Sequence, residues 1–598
     1  MRITDETRRR FVAALSGMGL GGTLLPGALL AQAQQSDEAR VTAAMLANAL
    51  AIAGLTFSEE DQKAMLQAVN RNLTQYEELR KIAIPNDVAP PFYFSAVTPG
   101  MKINRTKEPL RFSTPSVKRP ANLEDVAYWP ILNLAALIKS RQVTSVELTE
   151  MYLARLHRYN EKLNCVVTFL DELARIQARE ADQEIAAGKY RGPLHGIPWG
   201  AKDIIAVKGY KTTWGSGAYQ DQVLPDDASV VEMLREAGAV LVAKLTTGEL
   251  AQGDRWFGGQ TKNPWNPEEG SSGSSAGPAS ATAAGLVAFG IGSETSGSIL
   301  SPSARCGVTG LRPTFGRISR HGVMTLSWTQ DRLGPLCRTV EDCAVVMSVI
   351  AKPDGRDLSV ADMPFNWNVR ADIKKVRLGF LQDTFEQPRD QKVLDTLTGM
   401  GLKLVPVTVP ESQATDALGF NVESAAYFDE LVRSGRDKQM TNPGRGSGWR
   451  PSRLIPAVDY LQSQRARAMM MARLAAATAD VDVYVVPVQM GGGGGGRGGR
   501  GAATDGAGAP AAPPPPTDGA GRGRGGAGGA FFRGPLGRHF AMANSAGYPA
   551  VNVPNGFQES GSPFAITFYA RPFGEAELLA VAKAYQDAAG FLAKRPSL

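Results

Sequence analysis

The sequence predicts an α/β fold: one large domain with a mixed central β-sheet covered by helices, preceded by a small N-terminal helical leader. Three observations carry this. Short β-rich runs alternate with helical ones along most of the chain, the pattern of a sheet covered by helices. An apolar fraction of 43% gives 598 residues enough core for a large domain and excludes a wholly disordered or collagen-like chain. The stretch Gly270 to Thr314, dense in Gly, Ser, Ala and Thr, is interleaved with Leu, Val, Phe and Ile, which suits a tightly packed backbone and not a solvated linker.

Taken in order, residues 1–33 read as an export signal. Thr7-Arg8-Arg9-Arg10-Phe11-Val12 precedes a weakly apolar run, Ala13 to Leu30, broken by glycines and Pro26, and the small-x-small site Ala31-Gln32-Ala33 follows. The twin arginine before Phe11 resembles a twin-arginine (Tat) signal, so the expected location is periplasmic or secreted. No later segment offers the roughly 18 uninterrupted apolar residues that a membrane span needs, so no stable membrane insertion is expected once the signal is removed.

Residues 34–88 are expected to form the helical leader, with apolar positions at helical spacing from Val41 to Leu46 and from Met65 to Leu79. Recurrent prolines, from Pro85 to Pro120, make 89–123 a linker or arm. The main domain spans 124–598. Thr144-Ser145-Val146-Glu147 is a capping box that starts a helix through Tyr159, because the Thr hydroxyl and the Glu carboxylate can each satisfy a free backbone N–H of the first turn. Asp171 to Ala187, Val230 to Glu236 and Glu575 to Ala588 are further helices. Strands are expected at Ile204 to Val207, Val240 to Ala243, Val481 to Val486 and Phe564 to Tyr569. The Gly/Pro/Arg-rich segment 491–533, with Pro513 to Pro516 at its centre, cannot bury enough apolar surface to offset its ordering entropy and is expected to be a disordered insertion.

Charge excludes a nucleic-acid-binding role more than it suggests one. Of the net +7, residues 1–33 contribute +2 and 491–533 contribute +3, which leaves the body near balance with no basic face demanded. The four cysteines, Cys165, Cys306, Cys337 and Cys343, have no metal-ligand spacing, so neither zinc nor a disulfide framework is expected, and no cofactor is implied. The four histidines are scattered. Acid–base chemistry, if present, is expected to run without histidine.

The stretch Ser272 to Thr314 resembles the signature of the amidase signature family, whose members carry a Ser-(cis)Ser-Lys triad. On that resemblance the bridging serine is Ser274, in Gly273-Ser274-Ser275, and the nucleophile is Ser298, in Glu294-Thr295-Ser296-Gly297-Ser298. The lysine falls in His195-Gly196-Ile197-Pro198-Trp199-Gly200-Ala201-Lys202-Asp203 and is Lys202. The amides of Thr295, Ser296, Gly297 and Ser298 are implied as the oxyanion hole. Further matches run through Lys262-Asn263-Pro264-Trp265-Asn266, Asp331-Arg332-Leu333-Gly334-Pro335-Leu336, Tyr548 to Pro554, and Arg571-Pro572-Phe573. Leu300 stands where the family often has arginine, and the Glu-Thr-x-Gly-Ser form is similar to that of bacterial peptide amidases.

The residue types suit the chemistry. A serine hydroxyl needs a base within reach to become a nucleophile, and a second hydroxyl can relay the proton because it donates and accepts at once. Lysine serves as that base only when burial lowers its pKa from about 10.4. The function so implied is hydrolysis of carboxylic amide C–N bonds through an acyl-enzyme on Ser298, with a small-molecule or peptide amide as substrate. Two alternatives stand beside it: an A-type subunit of a glutamine-dependent tRNA amidotransferase, and a catalytically silent binding protein on the same fold. His195 is read as a packing or hydrogen-bonding residue, Asp203 as a partner of nearby backbone or arginine, and Cys306 as a small buried residue. Pocket residues are sought in 252–260 and 421–450.

Overall fold

In a computed structural model of the chain, the described residues are 40–54, scattered positions from 59 to 70, 94–410, 416–442, Arg445, Trp449, Ser452, 455–488 and 534–598. The expected signal (1–33), most of the leader and the insertion (491–533) lie outside them. Two compact units separate, Met1–Pro85 and Asn86–Leu598. In the first, the helix Ala43–Ile52 starts where Thr42 accepts a hydrogen bond from the Met45 N–H.

The second unit is built on a mixed sheet of 11 strands. In chain order these are β1 (Val166–Phe169), β2 (Pro198–Lys202), β3 (Val240–Leu245), β4 (Phe289–Glu294), β5 (Thr309–Arg312), β6 (Arg332–Cys337), β7 (Leu378–Leu381), β8 (Leu404–Val407), β9 (Val483–Pro487), β10 (Ala550–Phe557) and β11 (Pro563–Ala570). Across the sheet they run β1-β3-β2-β4-β6-β5-β10-β11-β9-β7-β8. Strand β2 is parallel to both β3 and β4, whereas β6 is antiparallel to β4 and β5. The central strands β2, β3, β4 and β6 are buried along their whole length, so none shows the alternation of a half-exposed strand; β3 is mostly apolar, whereas β2, β4 and β6 carry Lys202, Ser293 with Glu294, and Arg332 at their ends.

The expected capping box forms: Thr144 accepts from the Glu147 N–H while Glu147 accepts from the Thr144 N–H, and the helix runs Ser145–Leu163. Asp171–Ala186, Ser229–Glu236 and Glu575–Ala589 are helices as expected. One strand was misplaced by the sequence. Ile204 to Val207 is a buried turn with an isolated bridge from Ile205 to Val323, and the strand is Pro198–Lys202 immediately before it. There the amides of Ile204 and Ile205 both return to the Lys202 carbonyl, which ends the extended chain. From 94 to 122 the chain has no helix or strand. A bridge from Arg111 to Asn368 and hydrogen bonds from Ser113 to Glu341 tie it to the rest of the unit.

Candidate functional site

Lys202 is the last residue of β2. Parallel pairing sets Trp199 against Phe289, Gly200 against Gly290 and Ala201 against Ile291, so Lys202 reaches the far end of β4 beside Ser293. Stacking of Trp199 on Phe289, with ring centroids 6.0 Å apart, fixes that register from the core side. The Lys202 side chain is fully buried. Its Nζ lies 2.8 Å from Ser274 Oγ, 2.9 Å from Ser293 Oγ and 3.5 Å from the Ser293 carbonyl oxygen. Burial pulls its pKa down to about 7, with the charges of Asp331 and Glu294 opposing part of the shift.

Ser274 follows a cis peptide bond from Gly273 and leads into the helix Ala276–Ala283. A side chain at position 273 has no room, since a Cβ there would lie 1.8 Å from the Gly253 carbonyl oxygen. The neighbouring Ser275 ties three segments together. Its Oγ donates to the Ser293 carbonyl (3.0 Å) and accepts from the Ser293 N–H (3.1 Å), while its own N–H donates to the Ser298 carbonyl (3.0 Å). The latter bond holds the backbone of Ser298 next to the Ser274–Ser275 step. Glycine is needed at 292 for the same close approach, because a Cβ would sit 2.6 Å from Ser275 Oγ.

Ser298 is half-buried, between the end of β4 and the short helix Leu300–Cys306. Glu294 shapes the loop before it. One carboxylate oxygen accepts from the N–H groups of Ile299 (2.8 Å) and Leu300 (2.9 Å), and the other from Arg312 Nη1 (2.9 Å). Although burial pushes the Glu294 pKa up, Arg312, Arg332 and these backbone donors outweigh it and hold the carboxyl below its ordinary value. Thr295 Oγ1 donates to Asp331 (2.6 Å), and the Gly297 carbonyl accepts from the Ser301 N–H (2.8 Å). Gly297 has φ +88°, a conformation that favours glycine. Among the described residues, the N–H groups of Ser296, Gly297 and Ser298 donate no hydrogen bond.

The structure therefore brings Lys202 and Ser274 into direct contact and sets the Ser298 backbone beside them, while no side-chain bond from Ser298 to Ser274 occurs among the described residues. Sequence reasoning missed Ser293, the second hydroxyl on Lys202. It also missed Asn544, whose amide reaches the Thr295 carbonyl at 2.6 Å. The motif Asp331-Arg332 was legible, but not its placement against Thr295.

Asp203 pairs with neither backbone alone nor arginine. Its Oδ1 lies 2.7 Å from Lys244 Nζ, fully buried, and its other oxygen accepts from the N–H and hydroxyl of Thr213. His195 is buried and accepts from the Arg191 N–H at Nδ1 (3.0 Å), and burial lowers its pKa. Cys306 is buried, which pushes its thiol pKa up. A pocket beside the loop is lined by Leu300, Ser301, Val486, Leu536, His539 and Phe540 among others, and draws on neither 252–260 nor 421–450. His539 there is held neutral, its pKa drawn down to about 3 by burial and the Arg312 charge.

A family model described as Amidase matches residues 147–491. The chain is similar to the A-type subunit of glutamyl-tRNA(Gln) amidotransferase from Methylococcus capsulatus, 37% identical over 316 residues, or 51% of this chain and 65% of that protein. A protein of the same name from Synechococcus sp. is 31% identical over 490 residues, 78% of this chain and 99% of the relative. Among solved structures, native peptide amidase from Stenotrophomonas maltophilia aligns with a TM-score of 0.64 at 28% identity, covering 79% of this chain and 98% of its own. The A-type subunit of the Thermotoga maritima amidotransferase shares the fold, with a TM-score of 0.59 at 22% identity over 77% of this chain and 94% of its own.

Proposed function

Because the chain belongs to the amidase family, whose enzymes act on C–N bonds, we propose that it is an amidase hydrolysing carboxylic amides through an acyl-enzyme on Ser298, releasing ammonia or an amine. The observation that carries the reading is a fully buried lysine with its amine 2.8 Å from a serine hydroxyl and a pKa lowered to about 7. A neutral amine has two hydrogens and one lone pair. Its hydrogens can go to Ser293 Oγ and the Ser293 carbonyl, which frees the lone pair to accept the Ser274 O–H.

In this reading Ser298 attacks the amide carbon as its proton passes to Ser274 Oγ, and the Ser274 proton passes to Lys202. The tetrahedral oxyanion is met by amides of the Thr295–Ser298 loop, and the relay returns a proton to the departing nitrogen. Water then attacks the acyl-enzyme by the same relay. The similarity to peptide amidase supports a peptide or small-molecule amide as substrate.

The test is release of ammonia or amine from a panel of simple, aryl and peptide amides. We expect turnover by the wild type and its loss, by at least about 10³-fold, in Ser298→Ala. Intact turnover in Ser298→Ala would overturn the assignment. A second reading, part of a glutamine-dependent tRNA amidotransferase, is favoured by the names of the curated relatives. It requires glutamine as the ammonia source and further protein partners, so activity of the isolated chain on non-glutamine amides counts against it.

A further inference from the structure

Asn544 lies in the helix Gly534–Ser545, 249 positions from the loop it touches, and is 2% exposed. Its Nδ2 donates to the Thr295 carbonyl at 2.6 Å and lies 3.3 Å from Gln330 Oε1. Its Oδ1 accepts from Arg332 Nη2 at 2.6 Å and from Arg312 Nη1 at 3.1 Å. Guanidinium groups only donate, so the oxygen of this amide must face them and its NH2 must face Thr295. The orientation is thus dictated by two buried cations, and Arg312 is itself held by Glu294.

This matters because a trans peptide is planar, with the C=O of one residue and the N–H of the next on opposite sides. Pulling the Thr295 carbonyl toward Asn544 turns the Ser296 N–H the other way. Two peptide units on, the bond from Ser301 N–H to the Gly297 carbonyl likewise turns the Ser298 N–H away from the short helix. Neither Ser296 nor Ser298 N–H has an acceptor among the described residues.

We infer that Asn544 is a positioning residue that aims the Ser296 N–H at the oxyanion of the amide-cleavage transition state, through its hydrogen bond to the Thr295 carbonyl. This rests on Ser298 being the nucleophile. Asn544 touches neither substrate nor reacting atoms; it acts on the loop. Asparagine is required over its isostere aspartate, since a carboxylate would keep both arginine contacts and lose the short bond to the Thr295 carbonyl, leaving there the longer contact from Arg332 Nη2 at 3.5 Å.

The test compares wild type, Asn544→Asp and Ser298→Ala on the amide turned over fastest in the panel, together with the trifluoromethyl ketone bearing the same acyl group, which forms a tetrahedral oxyanion on a serine. Removing one oxyanion donor typically lowers kcat by about 10²–10³. We expect a misaimed donor in Asn544→Asp to lower kcat by about 10- to 100-fold with KM changed less than about threefold, and to weaken the ketone in proportion to kcat/KM. Unchanged kcat and ketone affinity in a folded Asn544→Asp, with Ser298→Ala inactive, would overturn this inference alone. Active Ser298→Ala would instead remove the nucleophile assignment beneath it. Equal losses in kcat and in binding of the carboxylic acid product would mark Asn544 as merely structural and also overturn it. Should Asn544→Asp not fold, Gln330→Met, which withdraws the other acceptor of the same amide, is read the same way with an expected drop in kcat of about three- to tenfold; no change overturns the inference.

Discussion

Replacing Lys202 by methionine should stabilise the protein relative to wild type near neutral pH and do so in a pH-dependent way. The wild-type lysine falls from its ordinary 10.5 to about 7 in the folded state, and each pKa unit corresponds to about 1.36 kcal/mol. Keeping this lysine folded therefore costs about 5 kcal/mol below pH 7 and about 4 kcal/mol near pH 7.5. The sign follows from proton counting. Between about pH 7 and 10 the unfolded lysine holds a proton that the folded one has lost, so wild-type stability rises with pH across that window. Methionine has no such term. Against its gain stands the loss of the bonds to Ser274 and Ser293, at about 1 kcal/mol each. The gain of Lys202→Met over wild type should thus be about 2 kcal/mol near pH 7.5 and shrink by about 1.4 kcal/mol per pH unit up to about pH 10. Urea denaturation of both proteins across that range reads it. A stability difference that does not vary with pH would refute the argument, because Lys202 would then not titrate where its burial places it.

Other expectations concern rate, packing and location. In wild type, kcat/KM for an amide should rise through about pH 7 as Lys202 loses its proton, and a flat profile from about pH 5 to 9 would contradict a lysine base. Glu294→Gln should cost about 3–5 kcal/mol in urea denaturation by leaving Arg312 buried without its anion, and should move the acid limb of the rate profile to lower pH, since Glu294 raises the Lys202 pKa. Unchanged stability would show that Arg312 finds another counter-charge. We also propose export by the N-terminal segment: N-terminal sequencing of protein from the cell envelope or medium should begin after Ala33, and recovery only of full-length cytoplasmic chain would refute it.

Local rules carried much of the fold. Thr144 and Glu147 announced their helix because capping chemistry spans only four residues. Ile204 to Val207 failed for the opposite reason: a run of buried apolar side chains looks the same in a strand and in a buried turn, and what ends the strand is a pair of backbone bonds to Lys202. The true strand contains Pro198 and Gly200, both poor strand formers, and Gly200 is required there because a Cβ would lie 2.3 Å from Leu245 Cδ1. At the proposed site, the motifs around Lys202, Ser274 and Ser298 marked the residues that the fold places near one another. Their supports were not so marked. Lys244 as the partner of Asp203, Asp331 under Thr295 and Asn544 over it are contacts between segments distant in sequence, and no local pattern encodes which buried polar groups will meet.

The hold of Asn544 on Thr295 also ties activity to the order in which the polypeptide is made. Ribosomes deliver the amino end first, so Lys202, Ser274 and Ser298 emerge long before the residue that steadies their loop. A nascent or prematurely terminated chain can own all three side chains of the proposed relay and still lack that strut. On the proposed mechanism, hydrolytic competence then arrives late, near the end of translation. For an enzyme whose proposed place of work lies across a membrane, late arrival doubles as a safeguard, since unfinished copies left in the cell of origin are poor catalysts.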